Sequence, residues 1–126
     1  MIRVRISRIE NRPLKVTSPE GEILQEILGH QAGRAKSHSL AEVTIPSGMS
    51  SAPHFHQFSE ESYLILSGEA EMYINQVQIH LATGDAILIQ PGETHQIINQ
   101  GHDDLVFLAV CAPAWHPDDN FPTQKA

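Results

Sequence analysis

The segment G-M-S-S-A-P-H-F-H-Q-F-S-E-E-S-Y-L-I-L-S-G, from Gly48 to Gly68, carries the pattern on which the rest of the chain is read. His54 and His56 stand two apart, so in extended backbone both imidazoles project to one face and can share one metal ion. The pair alone says little, because eight histidines in 126 residues give roughly 0.5 His-x-His pairs by chance. Its surroundings add weight. Gly48 precedes His54 by six, Glu61 follows His56 by five and Gly68 follows Glu61 by seven. Requiring all three brings a chance match down to the order of 10⁻⁴.

A second block, G-D-A-I-L-I-Q-P-G-E-T-H-Q-I-I-N from Gly84 to Asn99, places a Gly turn before an apolar strand and a Pro-Gly turn after it. His95 then opens the next strand and supplies a third imidazole. Together the two blocks resemble the two signature motifs of the cupin superfamily. The first fits G-x5-H-x-H-x4-E-x6-G at every specified position. The second fits G-x5-P-x-G-x2-H-x3-N except that Gln90 stands where Pro is usual, which costs a rigid turn and no ligand. The blocks span 52 of 126 residues, counting Gly48 to Asn99. The resemblance implies an all-β fold, a double-stranded antiparallel β-barrel of jelly-roll type, with His54, His56, Glu61 and His95 as metal ligands. Small single-domain cupins of mostly unassigned activity look similar in the flanking segments too. Glu60 could replace Glu61, since the pattern tolerates a one-residue shift, but only Glu61 places Gly68 at the usual distance.

Three neutral imidazoles and one carboxylate leave a divalent ion with a net charge of 2 − 1 = +1. The cofactor expected is therefore a divalent transition metal among Fe, Mn, Ni, Cu and Zn. Four protein ligands would close a tetrahedral zinc site, whereas an octahedral or tetragonal ion keeps positions open, which favours a redox-capable metal. Tyr63 shares strand parity with Glu61 and Ile65 and should point inward beside the ion. It is the candidate catalytic residue, set against the plainer reading of a core aromatic with a local hydroxyl partner. Gly48, Gly68, Gly84 and Gly92 read as turn residues and Asn99 as a strand-end hydrogen-bonding group. Phe55 and Phe58 read as core or pocket wall, and Cys111 as a packing residue at the end of an apolar strand. His30, His38, His80, His102 and His116 read as surface or structural.

Outward from the motifs, short apolar segments alternate with turn residues, and no sustained 3.6-residue repeat is present. Strands are expected over 2–7, 22–28, 39–45, 53–56, 62–66, 69–74, 77–81, 86–90, 95–99 and 105–111. Residues 23–28 also suit a short helix, with Glu22 and Glu26 four apart. The Pro-rich tail after Cys111 is too broken to extend a strand and should wrap the barrel exterior with Trp115 as its apolar anchor. One domain covers 1–126, with N-terminal strands in 1–36, the barrel core in 37–111 and the tail in 112–126.

The net charge of −7 is unevenly spread. Arg3, Arg5, Arg8, Arg12 and Lys15 supply five of the eight cations, and no Lys or Arg occurs from Ser37 through Gln124, where eleven carboxylates lie. Nucleic acid and anionic membrane are thereby excluded as partners of that stretch, and a phosphosugar substrate is disfavoured unless an N-terminal Arg reaches the pocket. The lone Cys111 and the absence of an apolar leader suggest a cytoplasmic protein. Ile2, Val4 and Ile6 alternating with Arg3 and Arg5 suggest an edge strand that crosses onto the acidic body of a second copy, giving a homodimer. Two function classes follow. One is a metal-dependent dioxygenase, isomerase or decarboxylase acting on a small neutral or metal-chelating oxygenated molecule. The other is a non-catalytic binding or sensor barrel with a structural metal.

Overall fold

The structure, a computed structural model, describes residues 5–126. Eleven strands lie among them: β1 (Val16–Thr17), β2 (Ile23–Leu28), β3 (Ser39–Ile45), β4 (His54–Phe55), β5 (Glu60–Ser67), β6 (Ala70–Ile74), β7 (Val77–Leu81), β8 (Ala86–Ile89), β9 (His95–Ile98), β10 (Leu105–Ala112) and β11 (Phe121–Pro122). They form two sheets, a six-stranded one in the order β1-β2-β3-β10-β5-β8 and a five-stranded one in the order β11-β4-β9-β6-β7. All the paired strands are antiparallel. The fold is all-β, and the expected double-stranded barrel is built as two facing sheets. At one corner Ser50 bridges Gly21, beside β2, to Ile98 of β9.

Period-two patterning explains the layers. In β5, Glu61, Tyr63 and Ile65 are buried while Glu60, Leu64 and Leu66 are exposed; in β10, Leu105, Phe107, Ala109 and Cys111 are buried. The inward rows of both sheets meet in one core that includes Val43, Ile45, Ile65, Met72, Ile97 and Phe107. Burying each of these large side chains contributes about 1.5–3 kcal/mol. The turns behave as their glycines require. Gly48, Gly68, Gly84 and Gly92 all have φ between +80° and +92°. At Gly68 a Cβ would also sit 2.8 Å from the Asp104 carbonyl oxygen, so the β5–β6 turn tolerates no side chain. Buried Asn99 donates through Nδ2 to the carbonyls of Ile45 and Asp103, both at 2.8 Å, closing the end of β9 as expected.

Residues 23–28 form the expected strand rather than the alternative helix, because Leu24 lies opposite Val43 in the register with β3 and packs on the core. Several other expectations are corrected. The strand expected over 2–7 falls partly outside the described residues, and its described part, Arg5 to Ser7, joins no ladder. The tail does more than wrap the outside: after a 3-10 turn at Pro117–Asp119 it adds β11, which pairs with β4. Proline is accommodated there because β11 is an edge strand. Phe121 stacks on Phe55 with ring centroids 5.1 Å apart, and this pair substitutes for the anchor assigned to Trp115, which is 39% exposed. Phe58 is neither core nor wall, being 67% exposed. Among the described residues no helix is long and apolar enough to cross a membrane.

Candidate metal centre

The two sheets deliver the four expected ligands to one point. His54 on β4 and His95 on β9 are direct cross-strand partners in the five-stranded sheet. Glu61 reaches in from β5 of the facing sheet, and His56 lies just past β4 in the connection between the sheets. One donor atom from each of His54, His56, Glu61 and His95 lies within 4.8 Å of all the others. His56, Glu61 and His95 are buried, and His54 is half-buried.

Each imidazole is held by its Nδ1. His54 bonds the Ala52 carbonyl at 2.8 Å, His56 the Asp119 carbonyl at 2.8 Å and His95 the Glu93 carbonyl at 3.0 Å. A carbonyl only accepts, so in all three rings Nδ1–H donates and Nε2 presents its lone pair inward. Oε1 of Glu61 stands 3.2 Å from Nε2 of His56 and 3.0 Å from Nε2 of His95. With Nδ1 protonated, lone pairs face lone pairs across these gaps, and only an added proton or a cation can bridge them. The donor set therefore fits a divalent metal ion.

The electrostatics follow from this crowding. Burial is the largest influence on His54 and, with the neighbouring His95, lowers its pKa to about 4. Burial also works against the charged form of His56, but the hydrogen bond and charge of Glu61 and the Asp119 carbonyl outweigh it and raise the pKa above 6.5. Burial pushes Glu61 upward, yet the His56 and His95 rings set against its Oε1 overcome it, favouring the charged carboxylate and holding the carboxyl well below the usual range.

Tyr63 lies where its parity placed it. It is buried beside the cluster, with its ring 6.1 Å from that of His95 and 4.5 Å from that of Phe107. Burial first, then the charge of Glu61, keep its phenol protonated far above pH 10. Glu60 is exposed and takes no part. Gln90 does not loosen its turn: its backbone N–H, which Pro would lack, donates to Glu93 Oε1 at 2.6 Å. The same Glu93 supplies the carbonyl that orients His95.

Two residues of this neighbourhood, Asp119 and Glu22, carry no reading in the sequence, and Cys111, read there as a packing residue, does more than pack. Cys111 is the β10 partner of Glu61, and its thiol donates to Glu61 Oε2 at 3.0 Å, leaving Oε1 to the imidazoles. Burial, then Glu61, raises the thiol pKa far out of the physiological range, so it remains a donor. Parity along β10 would have placed Cys111 inward; only the β5–β10 register sets it opposite Glu61. Asp119 accepts from the backbone N–H groups of Gln57, Phe58 and Ser59 at 2.7, 3.0 and 3.0 Å and so pins the loop after His56. No spacing signal ties it to that loop. Glu22 lines the wall of the cavity, and its sequence signal was the alternation Glu20, Glu22, Leu24, Glu26, a strand period in a segment that also suits a helix.

The cluster opens into a cavity of about 500 Å³ whose lining includes His54, His56, Glu61 and Tyr63, with Leu14, Val16, Trp115 and Pro122 also contributing. Among the described residues no Lys or Arg lines it, so none of Arg5, Arg8 or Arg12 reaches in.

Comparison with known proteins places this geometry in context. Residues 41–111 match the Cupin_2 family, described as the cupin domain. The uncharacterized protein MJ1618 of Methanocaldococcus jannaschii is 32% identical over 120 residues, which cover 94% of this chain and 96% of that protein. An oxalate-binding protein of Thermotoga maritima is 35% identical over 92 residues, 72% of this chain and 76% of the relative. Among solved structures, a predicted oxalate decarboxylase of Thermotoga maritima superposes with a TM-score of 0.73 at 29% identity, covering 86% of this chain and 98% of the other.

Proposed function

This chain belongs to the cupin domain family, and we propose that it is a metal-dependent enzyme acting on a small, oxygen-chelating molecule of the oxalate class. The observation that carries this reading is the convergence of four donors within 4.8 Å at a cavity with no Lys or Arg in its described lining. His54, His56, Glu61 and His95 would hold one ion among Fe, Mn, Ni, Cu and Zn, and a redox-capable ion that keeps coordination positions open suits the reading best. When bound, such an ion would supply a strong positive charge to a cavity with no Lys or Arg in its described lining and would polarise substrate oxygens. The protein's own part is to fix three imidazoles through their Nδ1 bonds, to exclude water with the Tyr63 and Val43 walls, and to keep the Tyr63 hydroxyl protonated as a hydrogen-bond donor to the substrate.

The test is metal analysis of protein purified without added metal, followed by single-turnover trials of each of the five metal forms, with and without O₂. The substrates are oxalate, diketones and hydroxy acids. Metal-dependent conversion of any of them supports the enzyme, and none in any form sinks it. The name of the oxalate-binding Thermotoga relative favours a second reading, a non-catalytic binding barrel. Its mark is a metal-dependent rise in Tm with oxalate and no product.

For the assembly we propose a homodimer. The outer face of the six-stranded sheet carries Leu64, 40% exposed, and Leu88, 50% exposed, beside Leu66 and Val110. These side chains lie on the neighbouring strands β10, β5 and β8, where a second copy would cover them together. A basic N-terminal segment against an acidic body offers charge complementarity between copies. Sedimentation showing a monomer at micromolar concentration would refute it.

A further inference from the structure

Glu22 is a half-buried titratable group of the cavity that the site described so far leaves without a task. Its backbone is fixed at the end of the β1–β2 hairpin: the Ser18 N–H donates to the Glu22 carbonyl at 2.8 Å, and the Glu22 N–H donates to Ser18 Oγ at 3.1 Å. The hairpin is in turn tied to the second sheet, since the Ser50 N–H donates to the Glu20 carbonyl and Ser50 bridges Gly21. At Gly21, with φ +101°, a Cβ would collide with Met49, which locks the turn against that loop. The Glu22 side chain therefore has a defined place on the cavity wall, half-buried. Glu26, two positions beyond Leu24 on the same face, spends its carboxylate on the N–H groups of Gln31 and Ala32. Among the described residues the Glu22 carboxyl meets no hydrogen-bond donor or acceptor.

We propose that Glu22 is a ligand-contacting acid of this cavity: it donates a hydrogen bond, and when needed a proton, to an oxygen of the bound molecule that the metal centre does not hold. This rests on the proposed metal-chelating function and extends it. The groups that share the cavity with Glu22 are Glu20 on its own turn, Glu26 on β2, His54 and His56 from the β4 side, and Glu61 and Tyr63 on β5. Three of the six are carboxylates and none is a Lys or Arg. An anionic chelator would be repelled by an ionised Glu22 and received by a protonated one. Burial, then the charges of Glu61 and Glu20, raise the Glu22 pKa to about 7. A divalent ion beside Glu61 would remove part of that repulsion, while burial, the larger cause, stays. In the acid form Glu22 shares its proton with the ligand oxygen. Above its pKa the proton comes from solvent, so anion binding takes up one proton.

The experiment uses the full chain reconstituted with Mn²⁺ and oxalate as the probe. Calorimetry at pH 6 and pH 8, in buffers of different ionisation enthalpy, gives the affinity and the protons taken up. Wild type should bind about tenfold more weakly at pH 8 than at pH 6 and take up close to one proton at pH 8. The isosteric Glu22→Gln should bind equally, to within about threefold, at both pH values with no uptake. Equal pH dependence and uptake in the two proteins would overturn the proposal. A second measurement needs neither metal nor ligand: the infrared carbonyl stretch of a carboxylic acid at pH 6, present in wild type and lost in Glu22→Gln. Its absence from wild type also overturns the proposal. Oxalate that binds neither protein, with the infrared band present, instead removes the oxalate-class reading of the cavity, and with it the anion assigned to Glu22.

Discussion

His54 and His95 are each oriented by a carbonyl two residues upstream, those of Ala52 and Glu93, whereas His56 is oriented by Asp119, 63 positions away. The bonds are alike in length, and the difference lies in what must be folded for each to exist. Two of the imidazoles are set by their own strand entries. The third waits for the C-terminal tail to close on the loop after β4, where the Asp119 carboxylate gathers three N–H groups and its carbonyl takes the ring. Burial works to raise the Asp119 carboxyl pKa, but those three donors prevail and lower it. The candidate metal site thus combines orientation encoded in the motifs with orientation supplied by a segment outside them.

The largest effect expected is one that removes this distinction. Glu61 Oε1 faces both a locally held and a remotely held ring, so Glu61→Ala should lower metal affinity by more than about 100-fold, read by competition with a chelator. Next, Asp119→Ala should weaken metal binding roughly 10- to 100-fold and cost about 1–3 kcal/mol of stability in a denaturant titration, because three N–H groups lose their acceptor. Its matched control is Glu93→Ala. That change keeps the carbonyl holding His95 and removes only the Gln90 contact, so metal affinity should change by less than about threefold. Equal losses in the two variants would show the local and remote holds to be equivalent. Cys111→Ala should cost about 1 kcal/mol and weaken metal binding severalfold by freeing Glu61 Oε2, with partial recovery in Cys111→Ser, which restores a donor.

The smallest effect is a titration of the metal-free protein by NMR. His56 should take its proton above pH 6.5 and His54 only near pH 4. Through linkage the two oppose each other. His54 is neutral when folded and more readily charged when unfolded, so its contribution to stability is present above pH 6.5 and lost as pH falls from 6.5 toward 4. His56 contributes below pH 6.5 and loses its contribution as pH rises through its elevated pKa. Coincident titration of the two rings would remove the electrostatic side of the comparison.

Much of the fold was legible because strand periodicity is local. The alternation in 60–67 and 105–112 set which residues face inward, and the Gly turns set where each strand stops. Residues 23–28 were ambiguous, since Glu22 and Glu26 satisfy a helical spacing as well as a strand parity; pairing with β3 settled them. The strand in the tail is hidden in the sequence because prolines argue against strands in general and not against a short edge strand such as β11.

By itself the sequence determined the ligand types, their parity and the turns between them, because those depend on backbone geometry over a few residues. Tertiary structure alone decided that Cys111 steadies Glu61, that Asp119 orients His56 and that Glu22 lines the cavity. Each of these relations joins segments dozens of residues apart, and strand register and sheet packing, rather than any local spacing, fix which distant side chains meet.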